Sequence, residues 1–137
     1  MGNLTESIHA RLSGDASLAS LLATYRGAPA VFTADVPEDA ELPYVVAVGE
    51  VTYEPFDSKT TRGRRLTRDA RCYAPAGGSA IVVEQIAERV RALLHRYRLE
   101  VDGFQVLVAV AQGPTQADEP EAYGRIVSVR YTMMETS

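Results

Sequence analysis

The sequence predicts an α+β fold: a mostly antiparallel β-sheet with helices packed on one face and a long β-hairpin projecting from it. Three observations predict it. Residues 44–54 and 64–73 alternate with period two and flank a polar, Arg-rich connection. Residues 82–97 carry apolar side chains at spacings of three and four. Two further β-type runs, 104–113 and 127–133, follow that helix as a second hairpin. At 137 residues the chain fits one domain, spanning 1–137, with the projecting loop at about 55–63.

In chain order, Leu4, Ile8 and Leu12 mark one face of a first helix that should stop near Gly14. Asp15 can cap a short second helix whose apolar face is Leu18, Leu21 and Leu22, ended by Gly27 and Pro29. A short strand is expected around Val31 and Phe32. The loop after it carries Asp35, Glu38, Asp39 and Glu41, read as solvated charges. Run 44–54 is rich in β-branched residues and starts with apolar residues on both faces, which predicts a central position there. In its partner, Leu66, Ala70 and Cys72 take the core face, while Arg65, Thr67, Asp69 and Arg71 take the wet one. The connection 55–63 exceeds the two to five residues of a common hairpin loop.

Ser79 is the expected N-cap of the long helix, with Val82, Ile86, Val90, Leu93 and Tyr97 as its buried stripe. Arg89, Arg91, His95, Arg96 and Arg98 fit a solvated face near the negative end of the helix dipole. Run 104–113 is apolar on both faces and reads as a central strand. In the last strand Val127, Val129, Tyr131 and Met133 should be buried, and Ser128, Arg130 and Thr132 should not.

Catalytic readings find little support. His9 and His95 lack the short His/Cys/Asp spacing of metal sites, so no metal is indicated. Cys72 falls on a core-facing strand position with nothing to activate it against His95. Gly77-Gly78 precedes a helix but lacks both the Lys-Ser/Thr of a P-loop and the spaced glycines of a dinucleotide fingerprint. The chain is read as a non-enzyme without cofactors. It has neither a signal-peptide pattern nor an apolar run of about 20 residues, so a soluble protein without membrane contact is expected.

The one constellation is basic. Lys59, Arg62, Arg64, Arg65, Arg68 and Arg71 are six of the 14 basic residues, against 18 acidic ones and a net charge of -4. That balance gives no global reason for duplex DNA binding, and no aromatic residue lies between Lys59 and Arg71 to stack on bases. A protein contact is expected instead. The candidate interface residues are Lys59, Arg62, Arg64, Arg65 and Arg68 on the hairpin, with Asp118, Glu119 and Glu121 of the second acidic loop as a complementary surface.

The order of segments resembles the tail-completion, or tail-terminator, family of long-tailed bacteriophages and gene-transfer agents. The resemblance rests on RLSGDASLASLL, LPYVVAVGE, FDSKTTRG, AGGSAIVVEQIAERVRALL, LEVDGFQVLVAV and YGRIVSVRYTM, in that order over nearly the whole chain. Arg71-Cys72-Tyr73-Ala74 departs from it, being more basic and less aromatic than the family pattern. The resemblance implies a structural virion protein, assembled in the bacterial cytoplasm, that forms a homo-oligomeric, hexameric ring. That ring would cap the completed tail tube, receive head-completion proteins, and let DNA pass without specific binding. A head-closure protein of the same neck, or a nucleic-acid-binding module using the basic hairpin, are the alternatives.

Overall fold

A computed structural model describes residues 3–55, 57, 62–77 and 79–136, without the side chains of 48–53. The helices are α1 (Leu4–Ser13), α2 (Ala16–Ala19) and α3 (Ile81–Leu94). The strands are β1 (Thr24–Tyr25), β2 (Ala28–Pro29), β3 (Val31–Phe32), β4 (Tyr44–Pro55), β5 (Gly63–Pro75), β6 (Phe104–Gln116) and β7 (Ala122–Glu135). β1 and β2 form a small hairpin; the others make a five-stranded sheet ordered β3-β4-β5-β7-β6. Among the described residues only β3 and β4 run parallel. The α+β class and the mostly antiparallel sheet therefore match the sequence expectation.

Local chemistry sets the helices. Asn3 and Glu6 form a reciprocal capping box at the start of α1, and Leu4, Ile8 and Leu12 are buried. Asp15 caps α2 by accepting from the Leu18 N–H, 2.8 Å away. α2 nonetheless stops at Ala19, because Thr24 to Pro29 turn back as the β1-β2 hairpin. Leu18 and Leu22 are buried and Leu21 packs against the core.

Thr132, expected on the solvated face of the last strand, is instead buried at 9% exposure, because the open face is also covered near that end of the sheet's central pair. Four expectations about the elements themselves also need correction. The stripe of α3 is Val83, Ile86, Ala87, Val90, Leu93 and Leu94, while Val82 is 42% exposed. Ile81, Val82 and Val83 offer three consecutive apolar residues, so spacing alone leaves the phase of the helix open. Second, α3 ends at Leu94: His95 is extended and Arg96 adopts a left-handed φ of 59°, so Tyr97 leaves the helix. Its ring lies under the Arg11 guanidinium, 3.5 Å from the centroid. Third, the N-cap position is Ala80, with no side-chain cap; the Ser79 hydroxyl instead accepts from the Ile81 N–H at 3.2 Å.

Fourth, β6 is an edge strand and not a central one. Its second apolar face is solvated, with Val108 47% and Val110 38% exposed. The centre belongs to β5 and β7, whose thirteen paired positions run from Gly63↔Met134 to Pro75↔Ala122. The outward edge of β6 is partly closed. Arg96 N–H donates to the Ala109 carbonyl at 2.8 Å, and the Ala111 N–H donates to His95 Nδ1 at 3.0 Å.

The helices cover one face of the sheet, over Leu66, Ala70 and Cys72 of β5 and Val127, Val129, Tyr131 and Met133 of β7. A bidentate ion pair ties α2 to α3: Arg89 Nε and Nη2 donate to the two Asp15 oxygens at 2.8 and 2.7 Å. Arg89 is thus no solvated dipole partner, as expected from sequence, but a clamp on the residue that caps α2. The Arg89 hydrogen bonds hold the Asp15 carboxyl at about 2 against an ordinary 3.8, with the Leu18 N–H adding to the effect against burial. A carboxyl lowered on folding stabilises the fold above its unfolded value and loses that contribution as pH falls through the folded one. Asp15→Ala should therefore cost about 1–2 kcal/mol at pH 7. In denaturation curves its deficit against wild type should shrink steadily between about pH 4 and pH 2.

Candidate interaction surface

The two oppositely charged loops lie at opposite ends of β5. The β4-β5 loop follows Pro55 and precedes Gly63, whereas the turn 117–121 sits beside Pro75, which pairs with Ala122. At about 3.3 Å per residue the thirteen residues of β5 separate these ends by about 40 Å. The basic and acidic loops of one chain cannot meet.

The structure disperses the basic cluster. Strand alternation turns Arg64 and Arg68 to the helix-covered face, where Arg68 Nη1 donates to Thr5 Oγ1 at 2.7 Å and Arg64 lies 4.4 Å from the Phe104 ring centroid. Arg65 is on the open face, where its Nη1 and Arg130 Nη2 share Glu54 Oε1 at 3.2 and 3.5 Å. Arg62 is exposed next to Asp57, whose Oδ1 accepts from the Gly63 N–H at 3.1 Å. Lys59 lies outside the described residues, as does Gly78.

The acidic turn also divides. Asp118 is committed to its own chain, accepting from Gly124 N–H at 2.9 Å, Gln116 Nε2 at 2.6 Å and Arg125 Nη1 at 3.0 Å. The Gly124 N–H, then the Gln116 amide, lower its pKa, outweighing burial. Glu119 and Glu121 are exposed.

Beside them the open face carries a cleft of about 800 Å³, a feature that sequence reasoning missed. Its apolar walls include Val36, Leu42, Tyr44, Val46 and Tyr73; Arg71 lies among them, and Glu119 and Glu121 stand at its edge. An edge-to-face series of rings, Tyr25–Phe32 at 5.4 Å, Phe32–Tyr44 at 5.9 Å and Tyr44–Tyr73 at 5.7 Å, stiffens that side. Burial, with the neighbouring Tyr73 and Glu119, pushes the Tyr44 hydroxyl pKa up. Arg71 Nε is shielded from solvent and has no acceptor among the described residues. The sequence signal was the apolar second face at the start of β4, which is also what a central strand would show.

The groups considered for catalysis are in structural use. His9 Nε2 lies 3.2 Å from the Val31 carbonyl, and His95 Nδ1 accepts from Ala111. Burial pushes the Cys72 thiol up to about 12, which keeps it protonated at neutral pH. Among the described residues no group of three or more His, Cys, Asp or Glu side chains could hold a metal ion, and no helix is long and apolar enough to cross a membrane.

Comparison with known proteins gives the fold a context. A chain from the virion of a native gene transfer agent particle superposes with a TM-score of 0.81 at 19% identity, covering 96% of this chain and 95% of that one. A second solved chain matches with a TM-score of 0.59 at 14% identity, over 96% and 94%. No curated protein sequence matches. The family model for Tail completion protein gp17 matches residues 6–135, from α1 to the end of β7. The protein therefore belongs to the Tail completion protein gp17 family and is a structural protein of a phage-type tail.

Proposed function

We propose that copies of this protein form a ring, hexameric as the family resemblance implies, that caps the completed tail tube and presents the surface on which the head is joined. Family membership over residues 6–135 carries this reading. The particle from which the structural relative comes agrees with it. The charge layout supports the ring: one end of β5 bears the basic loop with Lys59 and Arg62, and the other bears Glu119 and Glu121. Complementary surfaces about 40 Å apart on one chain favour head-to-tail association, and such contacts close into rings when the rotation allows. Arg64 and Arg65 act at the hairpin base, holding the arm against the sheet, Arg68 ties β5 to α1, and Arg62 with Lys59 meets the partner. Asp118 shapes the acidic turn that carries Glu119 and Glu121.

On this reading one ring face docks on the last ring of the tube, the other receives neck proteins, and DNA passes through without specific binding. The test is a particle preparation lacking the protein, imaged by electron microscopy. Overlong or headless tails are expected, and normal particles would overturn the proposal. Reversing the charge of Arg62, Arg64 and Arg65 together should reproduce that defect, and unchanged joining would remove the hairpin from the contact.

A further inference from the structure

We infer that the open-face cleft around Arg71, Tyr44 and Tyr73 receives the β4-β5 loop of a second copy of this chain. The inference rests on the ring reading and names the socket that the arm enters.

Chemistry matches socket to arm. The cleft combines apolar walls from Val36, Leu42, Tyr44, Val46 and Tyr73 with one cation, Arg71, and two carboxylates, Glu119 and Glu121. The loop reads Pro55-Phe56-Asp57-Ser58-Lys59-Thr60-Thr61-Arg62, a proline and an aromatic residue, then one carboxylate, then two cations. Each cleft group finds its complement in that order. Pro55 and Phe56 fill the apolar walls, Asp57 meets Arg71, and Lys59 and Arg62 meet Glu119 and Glu121. Pro55, Asp57 and Arg62 are all exposed in the single chain.

Geometry makes the contact intermolecular. Along β5 the side chain of Arg71 lies about 26 Å from Gly63, at about 3.3 Å per residue. Half of the connecting loop, fully extended, reaches about 14 Å. The arm therefore cannot fill its own cleft. It enters that of another copy, which leaves its own cleft for a third, and this is the heterologous contact a closed ring needs.

Charge exchange tests the pairing. Asp57→Arg and Arg71→Glu should each raise the midpoint concentration of self-association about tenfold or more, and the double variant should return to within about threefold of wild type. Silent single variants, or a double variant without recovery, would overturn the assignment. A variant that fails to fold is bypassed by cross-linking. In an oxidised Ser58→Cys/Glu121→Cys chain, a covalent ladder beyond the dimer is expected, while either single substitution stops at dimers; buried Cys72 stays silent. Where the isolated chain is monomeric, the same cross-link is made in assembled particles. A closed ring without the ladder, or a cross-link from position 58 to another tail protein, refutes this docking and leaves the ring intact. A chain that forms no ring even in particles removes the ring reading itself.

Discussion

Tyr131→Ala should lower the stability of the folded chain by about 3–5 kcal/mol, while Tyr131→Phe should leave it unchanged or raise it by about 1 kcal/mol. Tyr131 lies on β7, the strand between β5 and β6, and is the largest of the fully buried side chains. Alanine would leave a cavity between the sheet and the helices that close-packed neighbours cannot collapse to fill. The ring is wanted there; the hydroxyl is not. It is buried with no hydrogen-bond partner among the described residues, and burial pushes its pKa up, opposed by the nearby positive charge of Arg68. Removing it spares the folded state the desolvation of an unpaired polar group. Chemical denaturation at neutral pH separates the two outcomes. A loss of more than about 1 kcal/mol for Tyr131→Phe would mean that the hydroxyl has a partner in solution.

Gly124→Ala should be the most damaging addition of a single methyl group, costing about 3 kcal/mol or more. A Cβ at Gly124 would stand 2.2 Å from the Ala117 carbonyl oxygen and 2.9 Å from Tyr73 Cε1. The first neighbour is backbone and cannot swing aside. It is held close because the Ala117 N–H donates to the Gly124 carbonyl at 3.0 Å and the Gly124 N–H donates to Asp118. The methyl group must therefore open the β6-β7 turn or push Tyr73 off its place beside Tyr44. Amide exchange should rise from residue 116 to 125, and the Tyr73 ring resonances should shift. A variant as stable as wild type with an unmoved Tyr73 would contradict the close approach.

Much of this architecture was legible in the sequence because it is written locally. Leu4, Ile8 and Leu12 fall one helical turn apart, Asp15 caps the helix that follows it, and Val127 to Tyr131 alternate as a strand with one buried face must, the alternation ending where Thr132 is buried too. Strand order is decided elsewhere. β6 is apolar on both faces, as a buried strand would be, yet it lies at the edge because β7 pairs with β5, and no residue within β6 records that choice. Arg89 and Asp15 are 74 positions apart, so their pairing could not be read from either helix. The cleft draws on the β3-β4 loop, β4, β5 and the β6-β7 turn, and each part had an ordinary explanation of its own. Basic residues were legible in part: the period of two already assigns Arg65 and Arg71 to one face of β5 and Arg64 and Arg68 to the other, whereas the partners they meet there, Thr5 of α1 and Glu54 of β4, are set by tertiary packing.

The hydrogen bonds from Arg96 to Ala109 and from Ala111 to His95 bear on how such a protein avoids the wrong company. Backbone pairing is blind to sequence: an open strand accepts almost any other strand that arrives. Where many sheet-bearing subunits crowd together during assembly, that indifference leads to fibres and mismatched joints. With Ala109 and Ala111 in the middle of β6 already paired to the segment after α3, a newcomer on that side gains less from its main chain and depends more on its side chains.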